Sequence, residues 1–535
     1  MKAYPRVLPL GDSAATVELG DGIDPALNAR VVALDRALAR SPFAGLREAV
    51  PTYRALLVLY DPARAAFTEV RDALLARAAA VPEALPRGRL HEIPTRYGGE
   101  DGPDLAAVAR DHGLAEAQAI ALHSSVAYTA FMVGFTPGFA YLGLLPEALE
   151  VPRKATPRVR VPAGSVAIAG RQTAVYPVAS AGGWHLLGRT SLLLFDPALV
   201  PPALIRPGDR VRFVPVPELP EPAPPARPAP RTGTAAIEVV EGGLLTTVQD
   251  GGRASHRRFG VTGAGPMDTR SHRLANRLVG NAEDAAGLEC TVSGPVLRFE
   301  RPVHFAIAGA DLGATLQRAD LGDWPVPLGT RVLARPGNVL AFAGRRAGCR
   351  AYVAFAGGVD VPVVLGSRST DFAAGFGGLD GRALRAGDRL ALGESPPRPF
   401  VESPATSIAA ETPTVRVVLG PQHDLLTDAS IADFLAAPYA VLSTSDRVGC
   451  RLSGPRLQHR GPAEIVTDGM VAGSIQVPPD GQPIVMMADG PTTGGYPKLA
   501  TVITADLPLL AQVTPAEGGV RFAVVSVEEA QRAPR

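Results

Sequence analysis

Apolar positions in this chain gather in short runs, and the length and spacing of those runs change along it. Ala55-Leu56-Leu57-Val58-Leu59-Tyr60 is a continuous apolar run of strand length. Alanine-rich stretches around residues 25 to 39 and 64 to 80 have helical character. Together they predict a small α+β domain over residues 1–90. After about residue 90, strand-like runs punctuated by Gly and Pro take over, as in Val159 to Ala169, Ser191 to Phe195 and Arg210 to Val214. These predict a closed or nearly closed β domain over residues 91–214. The expected class is mainly β with α/β parts.

Eight prolines between Pro215 and Pro230 favour extended polyproline-II spacing, so residues 215–235 read as an interdomain linker. A weaker break around Pro396, Pro397, Pro399, Pro404 and Pro413 predicts an inter-lobe linker at 396–413, between lobes at 236–395 and 414–528. An internal recurrence crosses the first linker. Ala163-Gly164-Ser165-Val166, Gly182-Gly183, Leu187-Gly188-Arg189-Thr190 and Arg206-Pro207-Gly208-Asp209-Arg210 return in order as Pro336-Gly337-Asn338-Val339, Gly357-Gly358, Leu365-Gly366-Ser367-Arg368 and Arg385-Ala386-Gly387-Asp388-Arg389. The recurrence predicts related barrels on either side of the linker. Its last element reads as a turn, with Gly at positive φ and Asp capping its own backbone, so Asp209 and Asp388 are structural.

At 535 residues the chain needs several cores. With 53 basic against 52 acidic residues it has no footprint for nucleic acid or an anionic membrane surface. The start, Met1-Lys2-Ala3-Tyr4-Pro5-Arg6, lacks a signal-peptide core, and no apolar run is long enough to span a bilayer, so a cytoplasmic protein is expected. Cys290, Cys349 and Cys450 are far apart and read as buried fillers. The nine histidines show no ligand spacing, and no metal site is predicted. Only Lys2, Lys154 and Lys498 are lysines, so in this arginine-biased chain a surviving lysine invites a chemical reason.

Gly134-Phe135-Thr136-Pro137-Gly138-Phe139-Ala140-Tyr141-Leu142 packs aromatic faces about a Pro-Gly turn, suited to the wall of a rigid pocket or to a core corner. With Pro157-Arg158-Val159-Arg160-Val161-Pro162, Gln172-Thr173, Tyr176-Pro177 and Gly182-Gly183-Trp184-His185, it resembles the KipI (PxpB) family over about residues 5 to 215. Downstream come Val248-Gln249-Asp250-Gly251-Gly252-Arg253, Gly366-Ser367-Arg368-Ser369-Thr370, Ser445-Asp446-Arg447, Gly473-Ser474-Ile475-Gln476 and Thr492-Thr493-Gly494-Gly495-Tyr496-Pro497-Lys498. These resemble the KipA (PxpC) family over about residues 236 to 525.

The resemblance implies a cyclophilin-like β-barrel in each part. It also implies a role, beside a separate PxpA (LamB/YcsF-like) protein, in opening 5-oxoproline to glutamate with ATP. The two-part module is similar as well to the carboxyltransferase region of urea carboxylase, yet no Ala-Met-Lys-Met biotin attachment sequence is present. KipI-like and KipA-like proteins are also described as regulators of a histidine kinase, which stands as a third reading. An interface between the PxpB-like and PxpC-like halves is expected, and a homo-oligomer is compatible with the sequence.

A lactam resists hydrolysis because its nitrogen lone pair is delocalised. Phosphorylating its oxygen would activate it, which calls for anion donors and a group to position water. No GxxxxGK[ST] motif exists, so ATP follows from the resemblance alone. The anion-holding candidates are Arg158, Arg160 and Arg189 in the first half and Arg253, Arg368 and Lys498 in the second, with rim ion pairs as the alternative. Gln172, Gln249 and Gln476 could orient an amide or carboxylate, or cap loops. Asp250 and Asp268 could act as bases or cap turns. Tyr141, Tyr176 and Tyr496 could donate to an oxyanion. His185 reads as a spectator. The predicted site brings Phe139, Tyr141 and Gln172 against Gln249, Arg253, Thr492, Thr493 and Lys498, and Lys498→Ala is expected to impair turnover more than folding.

Overall fold

In the computed structural model, residues 3–81, 88–222, 234–394 and 410–534 are described. Most of both predicted linkers, and Lys2, lie outside the described residues.

The small domain is a four-stranded sheet of β1 (Arg6–Pro9), β2 (Ala14–Glu18), β3 (Leu46–Pro51) and β4 (Ala55–Tyr60) in the order β1-β2-β4-β3, with α1 (Pro25–Arg40) and α2 (Phe67–Ala80). Helix α1 starts where the sequence provides a cap: the Asp24 carboxylate accepts from the N–H of Leu27 at 2.9 Å, and Pro25 follows at the first helical position. The unbroken apolar run of β4 has a physical cause. Leu56, Val58 and Tyr60 pack against the helices, while Leu57 faces Leu10, Val50 and Val471 of the second half. A strand buried on both faces loses the alternation a half-exposed one would show.

The first barrel is closed by β5 (Leu90–Tyr97), β6 (Tyr128–Val133), β7 (Ala140–Gly143), β9 (Ser165–Ala169), β10 (Gln172–Val175), β12 (His185–Arg189) and β13 (Arg210–Pro215). Beside it lie α3 (Leu105–Asp111), α4 (Glu116–Ser124) and the ribbon of β8 (Arg158–Val161) with β11 (Ser180–Gly182). First and last strands, β5 and β13, pair in parallel, and the other pairings in this barrel are antiparallel.

The second half opens with β14 (Thr234–Glu241) and β15 (Leu245–Gln249), the first strands of a seven-stranded and a five-stranded sheet that enclose a single apolar core. Helix α5 (Thr269–Leu278) packs on the five-stranded sheet through Leu274, Ala275 and Leu278. The second closed barrel follows, with seven strands between Thr414 and Val524. Its first and last strands, Thr414–Leu419 and Gly519–Val524, again pair in parallel.

The barrel that matches the first in topology is therefore the last module. The recurrent stretch at 336–390 runs through the two-sheet lobe, which corrects the expectation of related barrels directly flanking the linker. What recurs is the turn. Gly208 and Gly387 have φ of 88° and 86°, and Asp209 and Asp388 each accept from the N–H three residues back, of Arg206 at 3.0 Å and Arg385 at 2.7 Å. That geometry is local, so it recurs wherever a strand must begin, whatever sheet the strand joins.

The two halves share buried surface. Val418, Ile503, Val527, Ala530 and Ala533 complete the small domain's core, and Gln531 near the carboxyl end donates to Tyr60 Oη at 3.0 Å. Thr504 donates through its N–H and hydroxyl to Asp12. Arg447 ties the two-sheet lobe to the second barrel, bonding Glu289, Asp489 (2.8 Å) and the carbonyl of Gly265 (2.7 Å). This gives the Ser445-Asp446-Arg447 motif a structural role. The three cysteines are buried and unpaired. Among the described residues no helix is long and apolar enough to cross a membrane.

Candidate functional site at the junction of the halves

The β6–β7 loop, Gly134 to Phe139, is where the modules meet. Phe135 holds φ at 67°, a left-handed conformation uncommon for a large side chain, and its N–H donates to Thr493 Oγ1 of the second barrel at 3.2 Å. A Cβ on Gly134 would stand 2.4 Å from the same hydroxyl, so glycine is required there by close approach. On the other side, Gly138 donates its N–H to the carbonyl of Phe259 at 2.8 Å, and a Cβ on Gly260 would lie 2.4 Å from the Thr136 carbonyl. The second barrel and the two-sheet lobe therefore grip one loop of the first barrel.

Behind the loop is an aromatic cluster. Phe139 meets Tyr141, Tyr176 and Trp184 edge to face at centroid separations of 4.9, 5.2 and 5.8 Å. The small domain adds Tyr53, 5.9 Å from Tyr141, and the second half adds Val466. Burial pushes the Tyr176 hydroxyl up to about 12 and that of Tyr53 well above its ordinary value. These phenols are neutral donors at physiological pH.

On the second-barrel side, Lys498 is completely buried, with Nζ 3.1 Å from Asp468 Oδ2. Burial acts to raise the Asp468 pKa, but Lys498 and Arg54 outweigh it and hold the carboxyl below its usual range. Gln422 and Thr52 approach the same carboxylate at 3.4 and 3.5 Å. Thr52 belongs to the first half, so the ion pair sits on the junction. Gln476 donates to the carbonyl of Tyr496 at 3.3 Å, just beyond the short strand Thr493–Gly494, while Tyr496 itself stays partly exposed.

In the two-sheet lobe, Gln249 and Asp250 are occupied in holding loops. Gln249 is fully buried, donating to Thr247 Oγ1 (3.0 Å) and accepting from the N–H of Gly265 (3.1 Å). The Asp250 carboxylate accepts from Ser367 Oγ (2.5 Å), the Arg368 N–H (2.5 Å), Ser369 Oγ (2.7 Å) and the Gly252 N–H (2.9 Å). Asp268 caps α5 through the Ser271 N–H at 3.0 Å. Arg253 bonds the carbonyls of Ser369 and Val364 and lies 4.8 Å over Phe376, which stacks on Phe195 of the first barrel. Its Nη1 is buried with no hydrogen-bond partner, as are Tyr53 Oη, Thr136 Oγ1 and Thr492 Oγ1. Buried polar groups of this kind are costly unless something bonds to them.

The structure thus gathers Phe139, Tyr141, Tyr176, Thr492, Thr493, Gln476, Tyr496 and Lys498 at the junction, with Arg253 on its lobe side. Gln172 is half-buried on β10, paired with Gly143 and Ala169. Arg158 lies elsewhere, joining Lys154 on Asp104 at 2.8 and 3.0 Å. Arg160 is exposed on β8, and exposed Arg189 donates to the Ala163 carbonyl. Arg368 bonds Asp360 and the Val361 carbonyl on a separate cleft that Arg301 and His304 also line. His185, at the barrel end, shares a hydrogen bond with the Pro152 carbonyl. Sequence reasoning missed Asp468, Thr52 and Tyr53. The available signal was Lys498 itself, since a lysine in a strand bounded by apolar residues needs a buried carboxylate. That burial gives Lys498→Ala a cost in folding as well as any cost in turnover.

Comparison with known proteins supports a two-part reading. The family model "Carboxyltransferase domain, subdomain C and D" matches residues 5–205, and "Carboxyltransferase domain, subdomain A and B" matches 259–524. The 5-oxoprolinase B component of Escherichia coli O157:H7 is 48% identical over 212 residues, 39% of this chain and 95% of that protein. The 5-oxoprolinase C component of Escherichia coli K12 is 39% identical over 297 residues, 56% of this chain and 94% of that protein. The crystal structure of TTHA0988 aligns with a TM-score of 0.84 and 39% identity, covering 95% of this chain and 99% of that one. The Kluyveromyces lactis urea carboxylase structure aligns at 0.53 and 32% identity, over 56% of this chain and 28% of that one.

Proposed function

Since the chain belongs to the carboxyltransferase-domain family of the 5-oxoprolinase B and C components, carried here in one polypeptide, we propose that it supplies both components of an ATP-dependent 5-oxoprolinase. In this reading it opens 5-oxoproline to glutamate in the cytoplasm, together with a separate PxpA-like protein. The observation that carries the reading is the grip on the Gly134 to Phe139 loop, which makes one site out of parts contributed by both component-like halves. The neutral phenols and the aromatic wall suit a small flat ring, and Tyr141 or Tyr176 would donate to its carbonyl oxygen. ATP is the co-substrate of this reading. Arg253 Nη1 and the hydroxyls of Thr136 and Thr492, buried donors without partners, fit phosphate oxygens. Asp250 and Gln249 act as positioning residues for the Arg253 and Ser367 to Thr370 loops. Lys498 acts through Asp468.

The test is reconstitution of the full chain with a PxpA-like protein, ATP and 5-oxoproline, following glutamate. Turnover dependent on all four components is expected. Glutamate no higher than with either protein alone would sink the proposal. Transfer of a carboxyl group from biotin on another chain to a urea-like amide is the second reading, favoured by the alignment with urea carboxylase over 56% of this chain. Carboxybiotin left unchanged by the chain and a urea-like amide would count against it.

A further inference from the structure

A second cleft, away from the junction, opens between α1 and the first barrel and encloses about 370 Å³. Asn28, Val32 and Arg36 of α1 form one wall, and Thr129 of β6 with Gly208 and Arg210 at the start of β13 form the other. Both charged residues lining it are arginines, one from each wall, and no carboxylate among the described residues lines it. Arg210 Nε is buried without a hydrogen-bond partner. Asp35, the acidic residue beside Arg36 in sequence, gives its carboxylate instead to Arg258 at 2.5 Å. Arg36 reaches across the gap: its Nη2 lies 3.6 Å from the point where a side chain on Gly208 would begin, and φ of +88° there suits only glycine comfortably.

Elsewhere in this chain half-buried arginines meet carboxylates, as Arg158 does Asp104 and Arg416 does Asp506. Two guanidinium groups facing one cavity repel each other, and a shared oxyanion converts that repulsion into charge-assisted hydrogen bonds. Guanidinium forks match carboxylate and phosphate geometry. The volume falls in the range of small-molecule pockets, and Val32, Ala29 and Ala127 give a short carbon skeleton an apolar floor.

We propose that this cleft is a binding site for a small metabolite bearing a phosphate or carboxylate group, held between Arg36 of the small domain and Arg210 of the first barrel. Occupation would fasten α1 to the barrel. The proposal is independent of the reaction assigned to the junction.

Isothermal titration of the full-length chain with orthophosphate and, separately, with acetate tests it, using Arg36→Gln, Arg210→Gln and the double variant. At least one anion should bind the unsubstituted chain, and the stronger of the two identifies the group recognised. Each single substitution should weaken binding in the cleft about ten-fold or more, the loss of one charge-assisted bond, and the double variant should lose that binding. Arg521→Gln, an exposed arginine of the second barrel that lines neither site, should bind as the unsubstituted chain does. Should Arg210→Gln unfold, Arg36→Gln and Arg36→Lys carry the test, the lysine retaining part of the affinity. No heat from either anion up to about 20 mM, well beyond the millimolar end of the affinity scale, would overturn the proposal. So would binding that is undiminished in the double variant or is lost in Arg521→Gln.

Discussion

Lys498→Met removes one charge from the junction while keeping most of the stem's volume. Nζ stands 3.1 Å from Asp468 Oδ2, with the two side chains 0% and 1% exposed. At that distance and an effective dielectric of about 20 the attraction is about 5 kcal/mol, much of it offset by desolvation of both ions. Taking away one partner leaves the other charged and buried, and the expected loss of stability is about 3–5 kcal/mol near neutral pH. The pH dependence gives a second handle. In the unsubstituted chain Lys498 and Arg54 outweigh burial and keep the Asp468 pKa below its unfolded value. The stability this provides is present above about pH 4 and is lost as pH falls through the lowered folded value. Without the ammonium, burial dominates and the folded pKa rises above the unfolded one. The variant is then weakest at alkaline pH and recovers as acidification lets Asp468 take up a proton. Urea unfolding at pH 8 and pH 5 reads both effects. Lys498→Met/Asp468→Leu should regain most of the loss, because an apolar pair no longer strands a charge. An unfolding free energy for Lys498→Met within about 0.5 kcal/mol of the unsubstituted chain, a typical surface effect, would refute the reasoning. With folding restored in the double variant, glutamate formation in the reconstituted system asks separately whether the pair serves chemistry.

Burial pushes Asp104 up, but hydrogen bonds from Arg158, the Leu186 N–H and Lys154 outweigh it and hold its carboxyl at about 2. Asp104→Asn should therefore cost about 2 kcal/mol above pH 5. It should also flatten the acid limb between about pH 4 and pH 2 in pH-dependent urea unfolding. Gly134→Ala should slow turnover by pushing the loop off Thr493, 2.4 Å away, and Gly134→Ala/Thr493→Ala should recover part of it in the same reconstituted assay. Residues 1–220 and 233–535 made together should copurify through the shared core at Val418, Ile503 and Ala530, and failure to associate would contradict that interface. Arg447→Met should destabilise by about 3–5 kcal/mol, measured by urea unfolding, because Glu289 and Asp489 are left buried without their cation.

The first half is legible in sequence where burial is one-sided or the element is capped locally: the Asp24-Pro25 start of α1 and the Gly208-Asp209 turn into β13 are written in adjacent residues. Placement of the second barrel is not. Its closing strands, Thr414–Leu419 and Gly519–Val524, are about a hundred residues apart and pair in parallel, and nothing in either run specifies the other. The turn motif at Arg385 to Arg389 imitates the first barrel's because a glycine at positive φ followed by a capping aspartate suits any strand entry. Local chemistry repeats without repeating the fold around it.

The same contrast explains the site. Motif residues such as Gln249 and Asp250 announce themselves by their Gly-rich surroundings, yet their side chains are spent on Gly265, Ser367 and Ser369. The residues that bring the halves together, Thr52, Tyr53 and Asp468, carry no local signal because each acquires its role from a distant partner. The lysine count does carry one. Lys154 and Lys498 each place a single ammonium on a single aspartate, Asp104 and Asp468, at 3.0 and 3.1 Å. At Asp104 the same carboxylate oxygen already takes Arg158, so a compact point charge fits where a second planar fork would compete for the same geometry. At Asp468 the carboxylate is further approached by the Gly469 N–H, Gln422 and Thr52, and no face is left for a bidentate guanidinium. In a chain that otherwise uses arginine, lysine persists where the carboxylate is already shared, and that sharing is what makes both pairs expensive to break.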